Sequence, residues 1–258
     1  MNTDLGLIFD EDPELYARAR QPYPAALFRE LDALAGPLAG ARVVEIGPGT
    51  GQATVGLVAA GAQVTAVEPG TGMAGVLRRT CPTVDVAVTP FEQWAGSSGV
   101  WDVVVAFTCW HWLEPGLRTE RAARALRPGG ALATVVTQHV AGGTDAFFAD
   151  VQRSYERWDP NTTHGFRQPR AEELPPQTDE VDDSGSFTPA VRRHVTQDVE
   201  YTSDQYLLLL SSYANHRALP ATDRAALFAE IRTLLDGRYA GSITKRFRYE
   251  LRVARRRA

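Results

Sequence analysis

The chain predicts an α/β fold, a mostly parallel sheet with helices on both faces. Three observations carry this. From Arg42 onward, short β-branched runs alternate with helical stretches. Trp101-Asp-Val-Val-Val-Ala-Phe107 is almost continuously apolar, as a parallel strand buried on both faces requires. Residues 43–51, Val-Val-Glu-Ile-Gly-Pro-Gly-Thr-Gly, run a buried strand into three alternating glycines. At 258 residues, 44% apolar and 22% charged, the chain can bury a large core in one globular domain with insertions.

Each element follows from local chemistry. Asp12-Pro13-Glu14 supplies the N-cap, first-turn proline and first-turn acid of a short helix ending near Arg20. Gln21-Pro22-Tyr23-Pro24 then forces extended backbone before a second helix over 25–35, closed by Gly36-Pro37. Strands are expected near 42–46, 63–67, 84–88, 101–107 and 131–137, and helices near 52–60, 71–80 and 117–126. Arg127-Pro128-Gly129-Gly130 reads as the turn into the fifth strand. Residues 144–158 place Phe147, Phe148, Val151 and Tyr155 on one side of an amphipathic helix that Asp159-Pro160 stops.

Residues 172–183 hold six acids and Pro175-Pro176, and read as a surface loop. A sixth strand spans 191–201, Ser203 caps a helix running past Tyr213, and another helix covers 221–235. Phe247, Tyr249, Leu251 and Val253 alternate as a seventh strand, with Arg246, Arg248, Glu250 and Arg252 on its other face. The expected division of the single domain is an N-terminal helical lid over 1–37, a cofactor-binding core over 38–137, a cap insertion over 138–187, and C-terminal strands and helices over 188–258.

Composition removes several classes. A net charge of −4 argues against a large phosphate-binding face, so no nucleic-acid partner is expected; Arg252, Arg255, Arg256 and Arg257 read as a solvated tail. No apolar run could span a bilayer, and the first ten residues carry Asp4 and Asp10 with no basic start, so the expectation is a cytoplasmic protein with no membrane partner. Cys81 and Cys109 are too sparse for a disulfide framework, and the five histidines show no metal-ligand spacing; reduced thiols and no metal are expected.

The glycine turn points to a nucleoside. Gly47, Gly49 and Gly51 free the backbone from Cβ atoms so that N–H groups at a helix start can face a carboxylate or phosphate. A dinucleotide fingerprint needs Gly-x-Gly-x-x-Gly, yet the sixth position falls on Gln52 or Thr54, which excludes an NAD oxidoreductase. The next strand, 63–67, ends at Glu68, seventeen residues after Gly51, where a carboxylate can accept bonds from both hydroxyls of a ribose.

Glu45-x-Gly47-x-Gly49-x-Gly51 resembles motif I of the class I S-adenosylmethionine (SAM) methyltransferases, and Leu126 to Gly130, "LRPGG", is frequent among them. Tyr16-Ala-Arg-Ala-Arg20-Gln-Pro22-Tyr23-Pro24 and His111-Trp112 narrow the resemblance to small-molecule enzymes like trans-aconitate methyltransferase, over about residues 10 to 137. The resemblance implies a seven-stranded sheet of order 3-2-1-4-5-7-6 with strand 7 antiparallel, and a helical cap after strand 5. It also implies that Glu45 and the loop Gly47 to Gly51, Thr50 included, hold the methionine part of SAM, with Glu68 on the ribose and Met73 against adenine. Thr108, Tyr16 and Arg20 join the cofactor set, though Tyr16 and Arg20 could equally cap the sheet, and Met73 could equally be helix core. Thr89-Pro90-Phe91-Glu92 departs from the family, which usually offers adenine a polar side chain; the Phe91 backbone is expected to help instead.

Methyl transfer needs orientation and exclusion of water, and needs a base only if the acceptor loses a proton. His111, after the fourth strand, and His139, after the fifth, are the candidate bases; packing near Trp110 and Trp112 is the alternative role for His111. Trp110, Tyr155, Trp158, Tyr201, Tyr213 and His216 are candidate pocket-lining groups that could equally be core. The expected reaction is transfer from SAM, releasing S-adenosylhomocysteine (SAH), to O or N of a small planar or hydrophobic metabolite of specialised metabolism, by a monomer or homodimer. Two alternatives stand beside it: a carboxyl methyltransferase of trans-aconitate type using Arg167, Arg170 or Arg217, and a SAM-binding protein without transfer.

Overall fold

A computed structural model of the chain describes residues 8–176 and 178–258. Seven strands form one sheet in the order β3-β2-β1-β4-β5-β7-β6. They are β1 (Arg42–Ile46), β2 (Gln63–Val67), β3 (Asp85–Ala87), β4 (Trp101–Phe107), β5 (Leu126–Gly143), β6 (Val191–Thr202) and β7 (Ser242–Arg255). The pairs among β1 to β5 are parallel, and β7 runs antiparallel to both β5 and β6, as expected.

Alternation along β4 divides the core. Val103, Val105 and Phe107 face a cluster with Leu27, Phe28 and Leu31 of the Ala25–Ala35 helix and Ile231 of the Ala221–Arg238 helix. Val104 and Ala106 face Val44, Ile46, Ala122 and Leu132 on the opposite side. Both faces of the central strand are therefore dry, which is why its sequence does not alternate in polarity. Each fully buried leucine in these layers contributes roughly 1.5–3 kcal/mol through apolar burial.

Several boundaries differ from expectation for visible reasons. The helix after the glycine turn is Thr54–Ala59, because residues up to Ala53 complete the turn. The Pro-Gly-Gly stretch is not a free turn: it is absorbed into β5 as an irregularity opposite Trp101 and Val103, with Gly129 at φ +74°. The cap helix is two helices, Asp145–Asp150 and Gln152–Trp158, separated at Val151, where the Ser154 N–H bonds three residues back to the Val151 carbonyl (3.0 Å). Thr202, not Ser203, is the N-cap of the Ser203–Ser211 helix. Its hydroxyl accepts from the Gln205 N–H (3.3 Å) while Gln205 Oε1 accepts from the Thr202 N–H (2.9 Å).

The acidic 172–183 stretch is not simply a surface loop. It contains the Ala171–Glu173 turn and the Glu180–Asp183 helix, which is strapped to the sheet. Arg252 donates to Asp179 Oδ1 (2.6 Å) and lies 3.1 Å from Asp182; Arg118 makes a two-point pair with Glu180 (2.7 and 2.8 Å). The C-terminal arginines are likewise no solvated tail: Arg255 donates to the Leu34 carbonyl (2.7 Å), Arg256 to that of Leu126, and Arg257 to that of Phe187 (2.8 Å). The charged face of β7 is buried, with Arg248, Glu250 and Arg252 in ion pairs. Among the described residues no helix is long and apolar enough to cross a membrane.

Candidate active site

A cleft of about 1060 Å³ opens along the C-terminal ends of the parallel strands, where ligands of open α/β sheets bind. On one wall, Gly47 (φ +56°) brings its backbone so close to β4 that a Cβ would lie 2.9 Å from that of Cys109. Glu68 ties two loops together: Oε2 accepts from the Gly49 N–H (3.0 Å) and Oε1 from the Gly70 N–H (2.9 Å). It is 7% exposed and lines the cleft. Burial raises its pKa, the two N–H bonds oppose that, and the charge of Asp10 adds to the rise. Buried Met73 and Phe91 also line this wall, and the Met73 N–H donates to Asp10 Oδ1 (2.7 Å).

The three glycine N–H groups are used internally. Gly47 N–H bonds the Val67 carbonyl (2.9 Å), Gly49 N–H bonds Glu68, and Gly51 N–H bonds the Pro48 carbonyl (3.1 Å). The group offering an open donor here is Arg20. Its guanidinium lies 4.2 Å from the Tyr213 ring centre and 5.0 Å from that of Tyr16, and Nη2 donates to the Ser212 carbonyl (3.1 Å), while buried Nε has no partner.

The other wall is aromatic and hydroxylic. Thr108, in the left-handed region at φ +56°, bonds the Tyr23 hydroxyl (3.0 Å) and the Thr137 hydroxyl (2.8 Å). For a β-branched residue that backbone costs about 1–3 kcal/mol, held by the surrounding structure. His139 Nε2 is 3.3 Å from the Tyr213 hydroxyl, and its ring meets Phe247 edge-on at 5.2 Å. Burial holds the His139 pKa well below the usual histidine range, helped by the charges of Lys245 and Arg20. Lys245 is 3% exposed, with Nζ 4.9 Å from the Phe148 ring centre, and burial brings it down to about 7. His111 stands at the mouth beside Trp112, with its pKa lowered by partial burial and then by Arg118.

Residues 43–130 match the methyltransferase-domain family. Over 132 residues, 51% of this chain, the sequence is 36% identical to uncharacterized methyltransferases of Mycobacterium tuberculosis and Mycobacterium bovis, of which it covers 53%. The chain spans about half the length of the curated relatives it matches. A structure described as a type II methyltransferase from Anaeromyxobacter dehalogenans is similar at TM-score 0.63 and 24% identity, over 92% of this chain and 97% of that one. The YcgJ protein of Bacillus subtilis is similar at TM-score 0.52 and 15% identity, over 91% and 98% of the two chains. These likenesses show the fold. Over residues 43–130 the chain is similar to a methyltransferase domain.

Three residues expected at the cofactor stand behind the glycine loop and do not line the cleft. Glu45 is fully buried and accepts from the Thr54 hydroxyl (2.7 Å), and burial lifts its pKa to about 8. Thr50 is buried and accepts from Gln52 Nε2 (2.7 Å). A Cβ on Gly51, at φ +102°, would meet Leu77 Cδ1 at 2.9 Å. All three shape the turn from beneath. Gly47, Gly49, Glu68, Met73, Phe91, Thr108, Tyr16 and Arg20 do line the cleft, as do His111, His139 and Tyr213.

Five expected pocket groups lie outside the cleft lining. Trp110 is buried on the opposite face of the sheet, its Nε1–H donating to Asp179 Oδ2 (2.9 Å). Tyr155 bonds His216 Nε2 (3.0 Å) and packs with Trp158 in the cap's own core. Tyr201 is buried and donates to Gln21 Oε1. Of the two roles open to these aromatic groups they take the core one, because two short cap helices must first bury their own apolar sides.

Sequence reasoning missed Asp10, Phe9 and Thr137, and took Phe247 and Tyr249 only as strand core; all five line the cleft. One signal for Asp10 existed. Gly70 and Gly72 leave room for it, since a Cβ at either would lie 2.7 or 3.0 Å from Asp10 Oδ1. Glu92 and Gln93 also line the cleft beside Phe91, so polar side chains do reach that end. Among the described residues no group of three or more His, Cys, Asp or Glu could hold a metal.

Proposed function

We propose that this domain transfers the methyl group of SAM to an oxygen or nitrogen of a small planar or hydrophobic acceptor. The observation that carries the cofactor assignment is Glu68, a carboxylate held by two backbone N–H groups at the edge of the cleft. Each of its oxygens keeps a lone pair for a ribose hydroxyl. Met73 and Phe91 offer apolar surface to adenine, and the unpartnered Arg20 Nε suits the methionine carboxylate. The residues present therefore fit the cofactor. When bound, it supplies a methyl group on a sulfonium leaving group.

The chain's own part is to orient, dry and deprotonate. Tyr23, Thr108 and Thr137 present linked hydroxyls at the ends of β4 and β5, beside the region where the acceptor would lie. His139 is neutral at neutral pH and accepts the proton that an O–H or N–H acceptor loses. Tyr213, Phe247 and Tyr249 give flat apolar walls suited to a planar molecule. A tricarboxylate acceptor is less well served. Arg20 is the one arginine in the cleft lining among the described residues, while Arg167 pairs with Glu173 (3.1 Å) and Arg217 with Glu11 (2.6 Å).

The test is SAH release from SAM with phenols, aromatic N–H heterocycles and tricarboxylates as acceptors. Release with planar acceptors is expected. Release with tricarboxylates alone would replace this reading by carboxyl methylation, and SAH binding without turnover on any acceptor would favour a binding protein.

A further inference from the structure

The sheet ends in two unlike edges. β3 is three residues long, whereas β6 has twelve and pairs with β7 along its whole length without a register shift. Among the described residues no backbone hydrogen bond reaches the outer side of β6. It contains no proline, glycine or bulge, and of the devices that blunt an exposed edge it carries only charged side chains, which a partner of opposite charge pattern can pair.

Its charges are ordered. Arg192 and His194 lie in the first half, Asp198 and Glu200 in the second, all on one face by the two-residue period. Antiparallel pairing of two such strands about Thr196 sets Arg192 opposite Glu200 of the second copy, His194 opposite Asp198, and Thr196 opposite itself. Parallel pairing places like charges together, and a shift in register removes the match. On the other face the same register sets Val191, 46% exposed, opposite Tyr201, and half-buried Val195 opposite Gln197.

We infer that two copies of this chain join edge to edge through antiparallel β6 strands centred on Thr196, continuing the sheet across a twofold axis. The existing ion pairs are compatible with it. Arg192 keeps Asp182 (3.3 Å), and Asp198 keeps Arg246 (2.6 Å), because those partners belong to the same copy and pack from behind the edge. The bond from Arg193 Nη1 to the Arg192 carbonyl (3.0 Å) must yield. No residue of β6 lines the cleft, so pairing leaves the site open and the inference is independent of the proposed reaction.

Sedimentation equilibrium of the full chain should give twice the 28.2 kDa of one copy. Glu200→Arg places two like-charged pairs across the axis and should weaken association about tenfold, with an unchanged thermal melt. Thr196→Cys, with its Cβ atoms about 5 Å apart across the axis, should be joined into a covalent dimer by a short bifunctional thiol reagent. Asp198→Cys faces His194 of the other copy and should not. A wild-type monomer at every concentration reached would overturn the inference. So would a dimer indifferent to Glu200→Arg, or one that fails to cross-link at position 196.

Discussion

The two walls of the cleft do the same job, holding a small molecule, with different materials. The wall at β1 and β2 is made of backbone and one acid, with Gly47 pressed against Cys109 and Glu68 bonded to the Gly49 and Gly70 N–H groups. The wall at β5 and β7 is made of side chains brought from far apart in sequence: Tyr23, His139, Tyr213, Phe247 and Tyr249. The first is specified by a nine-residue stretch and a strand end. The second exists only after the sheet has closed, so it tolerates change in ways the first does not.

Substitutions should separate the walls. Gly47→Val demands a Cβ where Cys109 sits and a left-handed backbone that valine avoids, so SAH affinity should fall at least about a hundredfold by calorimetry. A loss of less than threefold would show that the loop does not shape the site. His139→Ala should leave SAH affinity within about twofold while turnover drops about 10²–10⁴-fold. Unchanged turnover would leave transfer to orientation alone.

The pH profile sharpens the same contrast. Burial holds His139 well below the histidine range, so a base of this kind stays deprotonated as pH falls through 6.5, and turnover should decline only well below that point. Lys245→Met removes a positive charge acting on His139 and should move that acid limb upward; an unmoved limb would exclude His139 as the titrating group.

Outside both walls, the strap from Asp179 to Asp183 tests what ion pairing contributes to holding a segment on the sheet. Arg118→Ala breaks the two-point pair with Glu180 and should cost about 3 kcal/mol of stability by denaturant unfolding. The Arg118 bond holds Glu180 down to about 2, so its contribution is complete above the ordinary 4.5 and is lost as pH falls towards about 2. That loss should be absent in Arg118→Ala, and its persistence would point to other carboxylates. The smallest effect belongs to Tyr155→Phe: about 1 kcal/mol of stability from the His216 bond, with SAH affinity and turnover unaltered.

Legibility followed the same division. The parallel strands, Glu68 and the glycine turn were readable because buried parallel strands and positive-φ glycines constrain residue type locally, whereas the strand order followed only from the family resemblance. Glu45 was readable as a strand-end acid, but its burial against Thr54 was not, since sequence does not show which side of a loop a side chain takes. Trp110 and Tyr155 stayed open between pocket and core for a related reason: an aromatic residue near a site can equally be the floor of a neighbouring layer. The arginines at 252 to 257 looked like a tail because their acceptors, Asp179 and the Leu34, Leu126 and Phe187 carbonyls, are remote in sequence.

The most direct measurement is calorimetric titration of SAH into the wild-type protein, Glu68→Gln and His139→Ala, with NAD as control ligand. The account predicts SAH binding without NAD binding, a loss of tenfold or more in Glu68→Gln, and near-wild-type affinity in His139→Ala. Wild-type affinity in Glu68→Gln, or no SAH binding by the native chain, would contradict it.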